Sequence, residues 1–277
     1  MKEKSCSAGM KLFLFIGGII LFYLAGYKPI GIDRDSVTYS TAIEQLERGV
    51  VLIHEPAFLL IYNALTFFNV DPVRGFFVIL AALSIGLKTY SITRYSTSPV
   101  LSALIYVCLF YLLHDFTQIR AGVSAAFFLF AYNDIVQGRK VHYFLKVSAA
   151  ILFHYSAVLY LPLLFFSRKK INTVFYLALP FLFIPFVFLP DILPALKSLF
   201  LLLPQSLSTR AIYYAEQIQQ SGGGIGLFQM SVMAFYLTYG LWLLKIPKSE
   251  ISVFDNLSFK YLSLMFSLYF LFSAVPV

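Results

Sequence analysis

The sequence predicts an all-α polytopic membrane protein, and three observations carry that prediction. Of the 277 residues, 60% are hydrophobic and only 12% are charged. A soluble domain is typically about 45–50% apolar and about 25% charged. The mean hydropathy is +0.81. Apolar runs recur along the whole chain, and most of the charges lie in the stretches between them. No polar stretch is long enough to fold alone, so residues 1–277 read as a single transmembrane domain.

A membrane-spanning helix needs about 20 apolar residues, fewer where the protein interior covers its ends, and on that basis the chain holds about nine hydrophobic helical segments. In order they are Leu12–Tyr27, Ala57–Phe68, Val73–Tyr90, Val100–Leu113, Ala121–Val136, His142–Phe166, Asn172–Leu189, Gly226–Leu244 and Leu257–Val277. Lys2, Lys4 and Lys11 precede the first run, as in a signal peptide. No small-x-small cleavage site follows it, so a retained first helix is expected. His142–Phe166 carries His154-Tyr155-Ser156 and Pro162, which predict a break. Non-helical backbone at membrane depth is tolerated where protein or water covers it, so one or two segments are expected to be re-entrant. The last run ends at Val275-Pro276-Val277 with no charged tail, so a last helix is expected to be missing from this sequence.

Three polar stretches separate the runs: Lys28–Pro56, His114–Arg120 and Asp191–Gly226. If all three face outward, most Lys and Arg fall on the cytoplasmic side, as the positive-inside rule requires. The rival arrangement lets every run cross fully and leaves the two sides nearly equal in positive charge. The first is preferred, with outward-facing loops after helix 1 and around residues 191–226. The same rule accounts for the net charge of +8, which therefore does not indicate nucleic acid. In the third stretch Ser208 can cap a short helix carrying Arg210 and Tyr214 on one face, and Gly222–Gly224 follows as a hinge.

Ionisable groups in or at the lip of a membrane domain are costly, so each invites a functional reading. Asp33, Arg34 and Asp35 follow the first helix, and Asp35 and Tyr39 share a helical face. They suit either a solvated loop with a local ion pair or a carboxylate that meets a substrate hydroxyl. Glu55 opens the second apolar run beside Pro56, where capping is one role and substrate binding another. Arg120, after Gln118, stands at a helix start, a place suited to phosphate oxygens. His154 lies within an apolar run, as a proton acceptor, a substrate hydrogen-bond donor or a residue bonded to a neighbour. The two cysteines lack metal-ligand spacing, and no P-loop, HExxH or GxSxG motif is present. No metal or other cofactor is expected.

These residues resemble the EpsG-like family, the Wzy-type polymerases of O antigen, capsule and exopolysaccharide. Gly31-Ile32-Asp33-Arg34-Asp35-Ser36-Val37-Thr38-Tyr39 looks like the family's loop after the first helix, where an Asp precedes a Tyr by four. Glu55-Pro56-Ala57-Phe58 looks like its Glu-Pro-x-Phe helix start. Thr117-Gln118-Ile119-Arg120-Ala121-Gly122-Val123-Ser124-Ala125 resembles its Ile-Arg-Gln-x-x-Ala segment, with Gly122 where a polar residue is usual. Phe153-His154-Tyr155-Ser156-Ala157-Val158 resembles its Phe-His-x-Ser-Ala-Leu segment. Lys28 stands where many relatives carry Arg, and the third loop matches only as Arg210-x-x-x-Tyr214.

The resemblance implies transfer of a glycan from a polyprenyl pyrophosphate carrier to a lipid-linked repeat unit, at the outer face of the bacterial inner membrane. Arg120, with Arg210 or Arg34, would hold the pyrophosphate. Asp35 or His154 would be the base. Asp33, Arg34, Tyr39, Glu55, Gln118, Arg210 and Tyr214 would bind substrate. The implied partners are the polyprenyl pyrophosphate-linked oligosaccharide, membrane lipid, a chain-length regulator and a flippase. The alternatives are another polyprenyl-phosphate-dependent glycosyltransferase, an O-antigen ligase, or, in another class, a transporter or flippase of lipid-linked sugars.

Overall fold

The computed structural model describes residues 7–50, 55–169, 172–188, 201, 208 and 227–273. Every element among them is helical. The chain divides into two compact units, Met1–Phe165 and Phe166–Val277.

The first unit begins with α1 (Ala8–Gly26), capped by the Ser7 side chain. Next come α2 (Arg34–Glu47), α3 (Pro56–Phe67) and α4 (Pro72–Tyr95). α5 (Pro99–Ile105) runs directly into a π-helix, Tyr106–Thr117. α6 (Ile119–Gln137) and α7 (Lys140–Phe153) follow, then a 3₁₀ helix, Tyr155–Leu164. α4 lies against α1, α3 and α6, and α6 lies in turn against α7 and the π-helix. Lipid offers apolar helices no hydrophobic reason to associate, so close packing must come from small residues. Ala81, Ser84 and Ser91 of α4 and Gly122, Ser124, Ala126 and Ala131 of α6 are all buried. Outward, Leu12, Phe13, Phe15, Leu60, Phe67 and Leu112 are more than half exposed. That surface suits acyl chains and not water.

The second unit holds α8 (Thr173–Ala178), a 3₁₀ helix (Leu179–Phe188), α9 (Leu227–Lys245) and α10 (Val253–Ser273). Its core stacks Tyr236 on Phe259 at 5.1 Å between ring centroids. Lys260 Nζ, on α10, donates to the Ser167 carbonyl at 2.6 Å.

Four helical stretches among the described residues are long and apolar enough to cross a membrane: Ala8–Gly26, Pro72–Tyr95, Pro99–Thr117 and Ile119–Gln137. An all-helical, multi-pass membrane architecture therefore holds. Two boundaries differ from the sequence reading, each for a physical reason, and a third, the break expected within His142–Phe166, is present. Lys28–Pro56, read as a loop, contains α2, because the Asp33 carboxylate caps it by accepting from Ser36 N at 2.8 Å. The polar stretch His114–Arg120 begins inside a helix, because Asp115 finds polar partners within the protein. His142–Phe166 breaks at His154, whose backbone is extended (φ −155°, ψ 118°), between α7 and the 3₁₀ helix.

Candidate functional site

Four segments far apart in sequence meet in the first unit. α2 brings Asp35 and Tyr39, the start of α3 brings Glu55, the first turn of α6 brings Arg120, and the α7–3₁₀ break brings His154. Tyr39 is held among Phe58, Phe76 and Phe77, with ring centroids 5.8–6.5 Å away. Its hydroxyl accepts from Arg120 Nε at 3.0 Å, and the guanidinium lies 4.9 Å from the centre of the same ring. Arg120 also donates through Nη1 to Glu55 Oε2. Its side chain keeps 23% exposure, so the group is clamped without being sealed off.

His154 Nδ1 lies 3.7 Å from Glu55 Oε1. That is too long for a hydrogen bond but within electrostatic reach. This Nδ1 is buried and has no hydrogen-bond partner among the described residues. Burial pushes the Glu55 carboxyl up, but His154 and the Arg120 charge more than offset it and hold the group below its ordinary value. Asp35 behaves the other way. Burial and the neighbouring Asp33 raise its pKa, against the pull of Arg120, Lys28 and Arg34. A carboxylate raised in this way is a better proton acceptor. Burial likewise raises the Tyr39 phenol, so it meets Arg120 as a neutral hydroxyl.

The other expected residues divide clearly. Asp33 has both carboxylate oxygens engaged within the chain: Oδ1 caps α2, and Oδ2 pairs with Lys28 Nζ at 2.6 Å. Arg34 is exposed at the start of α2, and Gln118 is exposed at the junction of the π-helix and α6. Arg210 and Tyr214 lie outside the described residues.

Two groups near the site take roles that the sequence reading did not give them. Lys28 is 2% exposed and also donates to the Phe116 carbonyl. Arg74 Nη1 donates to the Lys28 carbonyl at 2.9 Å and so ties the end of α1 to α4. Their positions at helix ends look like ordinary interfacial anchors, and only Lys28 stood out, as a lysine where many relatives carry Arg. Gly122 is now explained as well. A Cβ there would strike the His114 carbonyl, so a larger residue cannot occupy this position while the π-helix packs as it does.

A model of the EpsG family matches residues 11–277, nearly the whole chain. The chain belongs to the EpsG family. EpsG-like proteins are Wzy-type polymerases, which makes this a polysaccharide polymerase-type membrane protein whose substrates are lipid-linked oligosaccharides. No curated protein and no solved structure matches it. All the converging side chains fall inside the EpsG match. No cluster of His, Cys, Asp and Glu able to hold a metal ion occurs among the described residues.

Proposed function

We propose that this EpsG-family chain transfers a growing glycan from a polyprenyl pyrophosphate carrier to the terminal sugar of a lipid-linked repeat unit, at the outer face of the bacterial inner membrane. The observation that carries the reading is the meeting of Arg120, Glu55, Tyr39 and His154 from four separate segments. In the reaction an acceptor hydroxyl attacks the anomeric carbon of the donor. The carbon–oxygen bond to pyrophosphate breaks, and the hydroxyl proton passes to a base. The leaving group collects negative charge, and a fixed cation beside it lowers the barrier.

Arg120 is that cation. Glu55 and Tyr39 hold its Nη1 and Nε, which fixes the guanidinium plane of a side chain that is only partly buried. The base is Asp35, favoured by its raised pKa, or His154, favoured by its unpartnered Nδ1. Gln118 and Arg34, both exposed beside this cluster, bind substrate, and Arg210 and Tyr214 add a contact from the third loop. A single transmembrane domain of about nine segments, one or two re-entrant, remains the expected architecture. A chain-length regulator and a flippase are the proposed partners.

The test is complementation of a polymerase-null strain, read as glycan chain length on a gel. Wild type should restore a long ladder, and Arg120→Ala at equal protein level should collapse it to single-repeat material. If the wild-type chain restores no ladder while reaching the membrane, the polymerase reading is wrong. If capped repeats are absent altogether, a flippase is the better reading.

A further inference from the structure

A second charged cluster lies in the first unit, apart from the residues above. Lys88 sits in the body of α4, 5% exposed, and Asp115 sits near the end of the π-helix, 1% exposed. Lys88 Nζ reaches both Asp115 carboxylate oxygens at 2.7 Å. Ser84 donates to Oδ1, and the Tyr106 hydroxyl donates to Oδ2 at 2.8 Å. Both carboxylate oxygens are thus satisfied. Isolated charges at this depth would be expensive, so the two groups are compatible with the membrane only as a pair.

The geometry of that pair depends on the π-helix. Tyr106 and Asp115 are nine residues apart. At 3.6 residues per turn, nine residues make about two and a half turns of an α-helix, which would put the two on opposite faces. The wider π turn, seen where Gln118 N bonds to the Leu113 carbonyl at 2.9 Å, returns them to one face. π-helices are rare and are mostly single turns, often at functional sites. This one runs for 12 residues. The Tyr106–Asp115–Lys88 bonds favour the π register and would be lost in an α-helix.

The end of the π-helix leads directly to the site. Phe116, next to Asp115, accepts from Lys28, whose other partner is the Asp33 cap of α2. α2 carries Asp35 and Tyr39. Gln118 turns the chain (φ −75°, ψ 58°), and Arg120 follows in the first turn of α6. His114, one residue before Asp115, rests its carbonyl against Gly122. A change of helical register would rotate each of these groups away from its partner.

We propose that Lys88 and Asp115 are positioning residues of the polymerase site, holding the π-helix in the register that places Arg120 against Glu55 and the Phe116 carbonyl against Lys28. The inference rests on the polymerase reading above. Neither residue touches substrate; both act through Phe116 and Arg120.

The test uses the full chain, purified and returned to lipid nanodiscs, with a polyprenyl pyrophosphate-linked repeat unit as substrate. Asp115→Asn and Lys88→Met are assayed beside wild type and Arg120→Ala. In parallel, Thr117→Cys, in a background with Cys6 and Cys108 replaced by Ser, is labelled with a water-soluble maleimide. Misplacing a reacting group by an ångström can lower a rate by about 10²-fold, and kcat per folded molecule should fall to that extent. KM should stay within a small factor, and the Thr117→Cys labelling rate should change when Asp115→Asn is added. Tyr106→Phe keeps both charges and removes one hydrogen bond, so it carries the test if the charge variants do not fold. It should shift kcat and labelling in the same direction, by less. Wild-type kcat per folded molecule with unchanged labelling in the folded variants overturns the proposal. If Arg120→Ala also leaves the rate unchanged, the site reading has failed rather than this inference.

Discussion

The two ends of α6 carry carboxylate clusters that look alike and are built differently. At its start, Arg120 pairs with Glu55, whose second oxygen stands 3.7 Å from His154 without a hydrogen bond. In its last turns, Asp134 has both oxygens taken, Oδ1 by Arg139 and Oδ2 by Lys146, each at 2.6 Å. The fourteen-residue interval between Arg120 and Asp134 is about 21 Å along the helix. One cluster is closed. The other keeps a buried imidazole nitrogen without a hydrogen-bond partner among the described residues. Closed ion clusters hold elements together, and Asp134 does so by joining α6 to α7. An incompletely partnered cluster is costly to maintain, and it is where function is expected. The difference lies in the number of partners per carboxylate oxygen and not in net charge.

Four experiments can break or sharpen this contrast. The largest effect is expected for Arg120→Ala, which removes the cation proposed to face the leaving group. Loss of one such electrostatic stabiliser lowers kcat by about 10²–10³-fold. Arg120→Lys should recover only part of the rate, since an ammonium cannot bond Tyr39 and Glu55 as a fork. Polymer formation by Arg120→Ala at the wild-type rate would remove the open cluster from the chemistry.

His154→Gln comes next. If His154 is the base, the rate should fall by about 10²-fold or more. Asp35→Asn measured alongside separates the two candidates, because only the variant lacking the base should flatten the pH profile of kcat. Flat profiles in neither variant would exclude both residues.

Asp134→Asn should act on stability alone. Charged hydrogen bonds contribute about 1.5–3 kcal/mol each, so unfolding in detergent should move to lower temperature while kcat per folded molecule stays at wild type. A loss of rate at full stability would make the closed cluster part of the site.

The smallest effect is on pH. Glu55 is held below its ordinary value of 4.5, so its ionised form stabilises the fold above that value. The contribution disappears as pH falls through the lower folded-state value. Melting measured from pH 6 downward should therefore fall less steeply for Glu55→Gln than for wild type over that acidic window. Parallel curves would mean that Arg120 and His154 do not hold the carboxylate in the folded protein.

Much of the candidate site was legible in the sequence, because polar residues in an apolar chain are few and conspicuous. Arg120, Glu55, His154 and Tyr39 were all marked by that contrast, and they do converge. Their pairing was not legible, since 65 residues separate Glu55 from Arg120 and no local pattern links them. Lys88 was legible and overlooked: a lysine inside the apolar run Val73–Tyr90 satisfies the same criterion that singled out His154. Gly122 looked like a departure from the family pattern and proved to be a steric requirement.

Composition and spacing by themselves determined that this chain is helical and lies in a membrane. Those properties follow from how many polar groups there are and where they interrupt the apolar runs. Tertiary structure alone decided which carboxylate is saturated, which imidazole nitrogen is unpartnered and where a helix widens into π register. Each depends on contacts between residues distant in the chain. In lipid such contacts are governed by close packing and by the satisfaction of buried polar atoms, and hydropathy records neither.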